Sequence, residues 1–169
     1  MFNVNDVIIY GAQGVCKITG IEEKKISGAK RLYYVLESLS NTASTVYVPT
    51  DNEHVLKKMR RLMSTEEIHA LIDAMPTEAT QWIQNENERK ECFKRIIMSG
   101  TPSELIKMIK SIYMHKKERE AEGKRLHMSD ERFFKDAEQI LYNEFQYVLE
   151  LSCKSDLMTY IVNRIEGKK

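Results

Sequence analysis

Apolar and polar residues alternate along residues 1–50, with the spacing that is typical of half-buried strands. The runs rich in β-branched and aromatic residues lie at 6–10, 14–26, 31–39 and 44–50. The links between these runs are a few residues long and contain Gly, Ser or Asn, as tight turns do. Because a sheet of such short strands must curl to bury a face, the pattern predicts a small antiparallel β-barrel over residues 1–60.

After this region, apolar residues recur every three to four positions, which predicts amphipathic helices. The stretches "STEE" (64–67) and "TPSE" (101–104) have the pattern of capping boxes, which mark helix starts. We therefore predict a compact bundle of about five helices over residues 61–169. The fold class is α+β with two domains, joined at the short polar hinge 57–64.

The composition contains little that indicates catalysis or cofactor binding. The three cysteines are far apart in the sequence: Cys16, Cys92 and Cys153. An odd number of distant cysteines argues against a disulfide framework and for a reducing compartment. The histidines lack metal-ligand spacing, and the carboxylates are interleaved with Lys and Arg as on solvated helix faces. We expect no enzymatic activity, no metal, no cofactor and no small-molecule substrate.

Hydrophobicity along the chain indicates a cytoplasmic protein without a membrane anchor. Hydrophobic residues make up 42% of the chain and charged residues 30%, which fits a globular protein with a real core. No segment reaches the roughly 18 consecutive apolar residues that a membrane span needs. The N-terminus also lacks the basic and apolar regions of a signal peptide.

Positive charge is concentrated in residues 86–125, which hold 11 Lys and Arg against 7 Asp and Glu, although the whole chain carries only +1. On a helix, Lys107, Lys110 and Lys117 share one continuous stripe. The cations form either a solvated face, since glutamates lie among them, or a face that follows DNA phosphates. The candidate phosphate contacts are Arg89, Lys90, Lys94, Lys107, Lys110, Lys117 and Arg125.

The only tryptophan, Trp82, lies just before a run of eight polar residues at 84–91. A ring of this size is usually buried, so one interpretation is that it packs the start of its helix against the segment 71–76. The other interpretation is an exposed wedge that stacks on bases or enters a distorted minor groove. The local pattern does not decide between them.

Three stretches resemble the CarD/CdnL family of bacterial transcription regulators. They are "FNVNDVIIYGAQGVCKITGIEEKKISG" (2–28), "TVYVPTDN" (45–52) and "GTPSELIKMIKSIYMHKKEREAEGKRLHMSDERFFKDAEQILYNEFQYVL" (100–149). The resemblance covers most of the chain and is strongest to the version found in clostridia-like bacteria. The N-terminal motif is shared with the polymerase-binding module of the transcription-repair coupling factor.

This resemblance implies two domains with different partners. A Tudor-like barrel over residues 1–60 would bind the β subunit of RNA polymerase by aligning strands. A helical domain over residues 61–169 would lie on promoter DNA at the upstream edge of the transcription bubble and stabilise the open complex, largely independently of sequence. The protein would be a monomer when free. The alternative is a polymerase-bound adaptor whose helical domain recruits another protein.

The resemblance also assigns individual residues. Trp82 would be the wedge in the minor groove, and Arg89, Lys90 and Lys110 would be among the phosphate contacts. The polymerase-contacting edge would contain Lys24, Lys25, Ile26 and Tyr47. The family commonly has an arginine where this chain has Tyr47, so an ionic contact to polymerase would be replaced there.

Overall fold

The computed structural model describes residues 1–40 and 44–167, without the side chain of residue 166. The chain divides into two units, with the division between Leu62 and Met63. An antiparallel five-stranded sheet is followed by a set of helices, which confirms the predicted α+β class. Within the described residues, no helix has the length and apolarity to cross a membrane.

The N-terminal unit is built on one antiparallel sheet with the order β4-β3-β2-β1-β5. Its strands are β1 Val7–Tyr10, β2 Val15–Ile26, β3 Ala29–Ser38, β4 Thr45–Pro49 and β5 Met59–Arg61. A one-turn helix, α1 Glu53–Leu56, lies between β4 and β5, and the side chain of Asn52 caps it. This order places β4 and β5 at the two edges of the sheet.

The long hairpin of β2 and β3 dominates the sheet, and its register runs from Cys16 opposite Ser38 to Ile26 opposite Ala29. The two turn residues, Ser27 and Gly28, have φ angles of 53° and 87°. Positive φ at both positions is the conformation of the two-residue turn whose twist matches that of the flanking strands. The turn therefore fixes the register of the hairpin end that carries Lys24 to Ile26.

The sheet curls around an apolar core to which every strand contributes. The buried members of this core are Ile8, Cys16, Ile18, Tyr34, Leu36, Val48 and Met59. Val48 comes from one edge strand and Met59 from the other, so the two edges turn toward the same core. This is the curling that short strands need in order to bury a face.

Strand β5 lies in the stretch 57–64, where the sequence predicts a polar hinge. Met59 to Arg61 pair instead with β1. Only Met59 of the three is buried, at 6% exposure. A single inward-facing residue between basic neighbours gives no alternating pattern, so the strand has no signal in the sequence.

Within residues 63–167, the C-terminal unit contains five helices, in agreement with the predicted number of about five. They are α2 Thr65–Ala74, α3 Glu86–Ser99, α4 Pro102–Ala121, α5 Met128–Val148 and α6 Lys154–Glu166. The Ser64–Glu67 capping box is present. The predicted box at 101–104 is wrong in one respect: α4 begins there with Pro102 in its first turn, but the Thr101 side chain makes no capping hydrogen bond. Gly100 ends α3 in the left-handed conformation that favours glycine.

The apolar stripes of all five helices meet in one core. Its largest fully buried members are Ile68, Ile72, Leu105, Met108, Ile112, Leu141, Phe145 and Leu157. Glu144 is also fully buried, and its carboxylate accepts a hydrogen bond of 2.8 Å from the backbone N–H of Met63. This hydrogen bond ties Met63, the first residue of the unit, to helix α5.

Candidate functional sites

One candidate site lies on the sheet, where β2, β3 and β4 are neighbours. The Lys24 ammonium on β2 reaches across β3 and lies 3.7 Å from the ring centroid of Tyr47 on β4. It is also 3.4 Å from a carboxylate oxygen of Glu22. Contact with the Tyr47 side chain, and then with Glu22, raises the pKa of Lys24 above its ordinary value. Lys24 is therefore a firmly charged group beside a half-exposed aromatic ring.

The other two residues predicted for this edge lie at the end of the hairpin. Ile26 is 45% exposed and Lys25 is exposed. Because side chains alternate along a strand, Lys24 and Ile26 lie on one side of β2 and Lys25 on the other. The structure therefore brings Lys24 and Tyr47 into contact. It places Lys25 and Ile26 opposite Lys30 and Ala29 at the hairpin end, outside that contact.

Strand β4 offers its backbone as well as its side chains. In the described part of the chain, β4 is one of the two edge strands and pairs on one side only, with β3. An edge strand of this kind presents N–H and C=O groups to which an extended strand of another protein can pair. Tyr47 sits in the middle of this edge, at 40% exposure.

The second candidate site surrounds Trp82, which lies in the connection between α2 and α3. The indole stacks on the imidazole of His115 from α4, with ring centroids 3.8 Å apart. Phe93 from α3 meets it edge-on at 6.4 Å, and the guanidinium of Arg89 lies 4.6 Å from the ring centroid. Trp82 is partly buried against the core of the helical unit. Its position thus combines a packed ring with some exposed surface.

Arg89 is an interior residue, with an exposure of 4%. Its Nε and Nη2 each donate a hydrogen bond of 2.9 Å to the carboxylate of Asp130, which is completely buried. Its Nη1 donates to the carbonyls of Ile83 and Gln84, at 3.0 and 3.4 Å. With four of its five N–H donors in these hydrogen bonds and its charge balanced by Asp130, Arg89 is not placed to contact a phosphate.

Lys110 also binds the chain itself. Its Nζ donates to the carbonyl oxygens of Pro76 and Glu78, at 3.0 and 2.6 Å. Nearby, Lys107 lies 3.3 Å from the Glu78 carboxylate. The hydroxyl of Ser111 donates to the carbonyl of Gln81 at 3.2 Å. These bonds fasten residues 75–85, hereafter the Trp82 segment, to α4.

The remaining predicted cations lie at the surface, and several have acidic neighbours on the same helix. Lys90 pairs with Glu86, and Lys94 pairs with Glu91 at 3.1 Å. Lys117 lies 5.4 Å from the ring centroid of Tyr113, and Arg125 is exposed beyond the end of α4. The exposed positive groups are therefore Lys94, Lys107, Lys117 and Arg125, with Lys90 half-exposed.

Residues 2–63 match the CarD-like/TRCF RID domain family. The N-terminal unit belongs to the CarD-like family. The CarD-like domain is a non-catalytic regulatory module that binds RNA polymerase through its β subunit. No curated protein matches the chain. The match covers the N-terminal unit and stops at its end. It therefore assigns polymerase binding to the N-terminal unit and says nothing about the partner of the helical unit.

In the helical unit that follows the CarD-like domain, three residues that hold the Trp82 segment have no local signal in the sequence: Ser111, His115 and Asp130. Each acts on the Trp82 segment from at least 30 positions away, directly or through Arg89. Contacts over such separations have no local sequence signal. Within the described residues, no group of three or more His, Cys, Asp and Glu side chains is arranged to hold a metal ion.

Proposed function

We propose that this chain is a transcription regulator that the CarD-like domain holds on the β subunit of RNA polymerase. Its helical unit would contact promoter DNA near the upstream edge of the transcription bubble and stabilise the open complex. The observation that carries this proposal is the CarD-like domain at residues 2–63, joined to a helical unit that displays a fastened tryptophan. A complex with polymerase would place the protein in the cytoplasm, as a monomer before it binds.

The polymerase contact would form at the β4 edge by strand addition. Main-chain pairing supplies most of the affinity in this mode, and side chains beside the edge supply specificity. The contact between Lys24 and Tyr47 supports this role, because it presents a charge and an aromatic face together at the edge. Lys25 and Ile26 would extend the contact toward the hairpin end.

The DNA contact would be weak in the absence of polymerase. A net charge of +1 gives little long-range attraction to DNA. Attachment to polymerase raises the local concentration of the helical unit, so a weak contact becomes effective. The phosphate contacts would come from the exposed cations Lys90, Lys94, Lys107, Lys117 and Arg125, while Arg89 and Lys110 position the Trp82 segment.

Trp82 would act through the part of its ring that the core leaves open. A wedge changes the equilibrium only if it binds opened DNA better than closed duplex. Because His115 and the Arg89 guanidinium already lie against the ring, the contact would be made by its open edge, and base stacking, about 1–3 kcal/mol, is an upper limit for it. That limit corresponds to a change of roughly fivefold to 150-fold in the ratio of open to closed complexes. The fastening of the Trp82 segment supports this role, because a fixed ring loses little conformational freedom when it binds.

The lifetime of open complexes tests the proposal. Cognate polymerase forms open complexes on a ribosomal RNA promoter with and without the protein, and a competitor is then added. We expect the protein to lengthen the half-life, and the variant Lys94→Gln/Lys117→Gln/Arg125→Gln to lose most of that effect. The variant should still bind the β subunit, because its changes lie outside the CarD-like domain. An unchanged half-life with wild-type protein bound to polymerase would contradict the DNA role.

A second candidate function is that of a polymerase-bound adaptor whose helical unit recruits another protein. The pairing of several surface lysines with glutamates on the same helix favours it, because paired cations attract phosphate less strongly. A photo-crosslinking residue at position 117 distinguishes the two functions. Crosslinks to promoter DNA support the regulator, and crosslinks to protein alone support the adaptor.

A further inference from the structure

An apolar groove of about 460 Å³ lies on the helical unit, between α4 and α6 and above α5. The side chains that form most of it are Ile109, Tyr113, Met114, Phe134, Leu141 and Met158. Tyr113 and Met114 are each 47% exposed and Met158 is 38% exposed, so large apolar groups face solvent here. The groove lies on the opposite flank of α4 from Ser111 and His115, which hold the Trp82 segment.

The groove has the length and direction of a helix. Its lining on α4 extends from Ile106 to Lys116, and ten residues of helix rise about 15 Å. Its floor on α5 follows positions 134, 138 and 141, the spacing of a single helical row. Helices α4 and α6 form the two sides of the groove, and this row of α5 forms its floor. A groove of this kind can hold about three turns of an amphipathic helix.

The charges around the groove are asymmetric. Lys116 borders it on the α4 side, and so does Lys110, whose ammonium donates to the neutral carbonyls of Pro76 and Glu78 and keeps its positive charge. Glu138 also lines the groove, and its side chain is 15% exposed. The ammonium of Lys154 lies 2.9 Å from the Glu138 carboxylate. The α4 lip is therefore basic, and the one carboxylate in the groove is neutralised. An occupant with acidic groups along one flank would complement this lip.

We propose that the groove receives an amphipathic helix of a partner protein, with Leu, Ile or Met on its buried face and Asp or Glu on the flank beside α4. Met75, Met114 and Met158 support this occupant, because flexible thioether side chains adapt to the shape of an incoming helix. The groove shares Met75, Pro76 and Lys110 with the Trp82 segment and its fastening, but Trp82 itself and the exposed cations Lys94, Lys117 and Arg125 lie outside its lining. It would give the polymerase-bound protein a second attachment point.

The test measures fluorescence anisotropy of labelled synthetic peptides titrated with the full chain. The main probe is a helix of about 16 residues with Leu at helical spacing and Glu on both flanks. A second peptide carries Lys in place of Glu, and a third carries Ser in place of Leu. The protein variants are Met114→Glu and Met158→Glu, with Met98→Glu as a control, because Met98 is 50% exposed and lies outside the groove.

We expect saturable binding of the Glu-flanked peptide, and binding at least about tenfold weaker for the two other peptides. Met114→Glu and Met158→Glu should each weaken binding by about tenfold or more, while Met98→Glu leaves it unchanged. Circular dichroism of each variant should match wild type, since the altered side chains are exposed.

Several outcomes would overturn the proposal. One is the absence of saturable peptide binding, and another is equal weakening by all three variants. Equal affinity for the Lys-flanked peptide would remove the charge argument and with it the stated occupant. A dimer in sedimentation that Met114→Glu dissociates would identify a second copy of this chain as the occupant. Binding of palmitate, with no binding of any peptide, would identify a small apolar ligand.

Discussion

Arg89 and Asp130 lie 41 positions apart in the sequence and form a bidentate ion pair in the interior of the helical unit, with both hydrogen bonds at 2.9 Å. Asp130 is completely buried and Arg89 is 4% exposed. The pair joins the start of α3 to the start of α5. Because Arg89 also binds the carbonyl of Ile83, the same side chain fixes the end of the Trp82 segment.

Arg89→Ala should therefore destabilise the helical unit strongly. The substitution leaves the Asp130 carboxylate buried without its counter-ion, a situation that costs about 3–5 kcal/mol. Urea unfolding measures the change in the free energy of unfolding. Lys94→Ala is the matched control, because its ion pair with Glu91 is exposed and such pairs contribute about 0.2–1 kcal/mol. A loss below about 1 kcal/mol for Arg89→Ala would show that the buried pair is not a main element of stability.

The bonds from α4 to the Trp82 segment should determine the order of that segment. Lys110→Met and Ser111→Ala remove the donors that hold the carbonyls of Pro76, Glu78 and Gln81. Trp82 is the only tryptophan, so its fluorescence reports on the segment directly. We expect the double variant to show red-shifted emission and stronger quenching by acrylamide, with unchanged helical circular dichroism. Lys117→Met is the control and should leave the emission maximum and the quenching of Trp82 unchanged. An equal change in Lys117→Met would contradict the proposal that Lys110 and Ser111 order the Trp82 segment.

Trp82→Ala should lower stability, although the ring is only partly buried. The substitution removes the stacking on His115 and the edge contact with Phe93. Aromatic contacts of this kind contribute about 0.5–1.5 kcal/mol each beyond the area they bury, so the expected loss is about 1–3 kcal/mol. Thermal unfolding by circular dichroism measures it, and Trp82→Phe should recover part of the loss. A variant as stable as wild type would mean that the ring is free to leave its contacts.

The fold could be predicted from the sequence where the pattern is repeated over many residues. The long strands β2 and β3 and the five helices of the second unit have clear periods, and the box at Ser64 and Glu67 marks a helix start. Strand β5 could not be predicted, because a three-residue strand with only Met59 facing the core has no period. The structure shows it as a strand through its pairing with β1.

The surroundings of Trp82 could be predicted only in part. As the only tryptophan, next to a polar run, Trp82 is conspicuous in the sequence. Its stacking partner His115 lies 33 positions later, on another element, and could not be predicted from the local pattern. One signal was present at Arg89. It lies four positions before Phe93 and seven before Ile96, on the buried face of α3. A cation in an apolar stripe indicates a buried ion pair more than a surface contact, but the identity of the partner depends on tertiary packing.

The three cysteines should react with a thiol reagent in the order of their exposure. Cys153 is exposed, Cys92 is partly buried and Cys16 is buried. Burial raises the pKa of the Cys16 thiol to about 11. Its thiolate fraction is then about a hundredfold or more below that of an ordinary cysteine near neutral pH. Time-resolved labelling should show a fast phase that Cys153→Ser removes, and a phase from Cys16 that appears only in denaturant. Rapid labelling of Cys16 in the native protein would mean that the sheet core opens readily.

Charge reversal at Lys24 should weaken the polymerase contact and leave the fold intact. Lys24→Glu replaces the ammonium above the Tyr47 ring with a carboxylate beside Glu22, so the surface next to the β4 edge changes from positive to negative. Because Lys24 presents a positive charge beside this edge, we expect its partner group on the β subunit to be acidic. Lys24→Glu should then weaken binding of the β subunit by about tenfold or more through repulsion between like charges.

Pull-down and titration of the β subunit measure this effect, with circular dichroism as the check on folding. Lys57→Glu is the matched control, because Lys57 is an exposed lysine of the same unit at the end of α1 and is not among the residues predicted to contact polymerase. Weakening by Lys24→Glu alone supports docking at the β4 edge. Undiminished binding by Lys24→Glu would move the polymerase contact to another surface of the CarD-like domain, such as the opposite edge at β5. Raising the salt concentration separates the charge contribution of Lys24 from the contribution of main-chain pairing at β4. Salt should reduce the difference in affinity between wild type and Lys24→Glu, while the main-chain pairing persists.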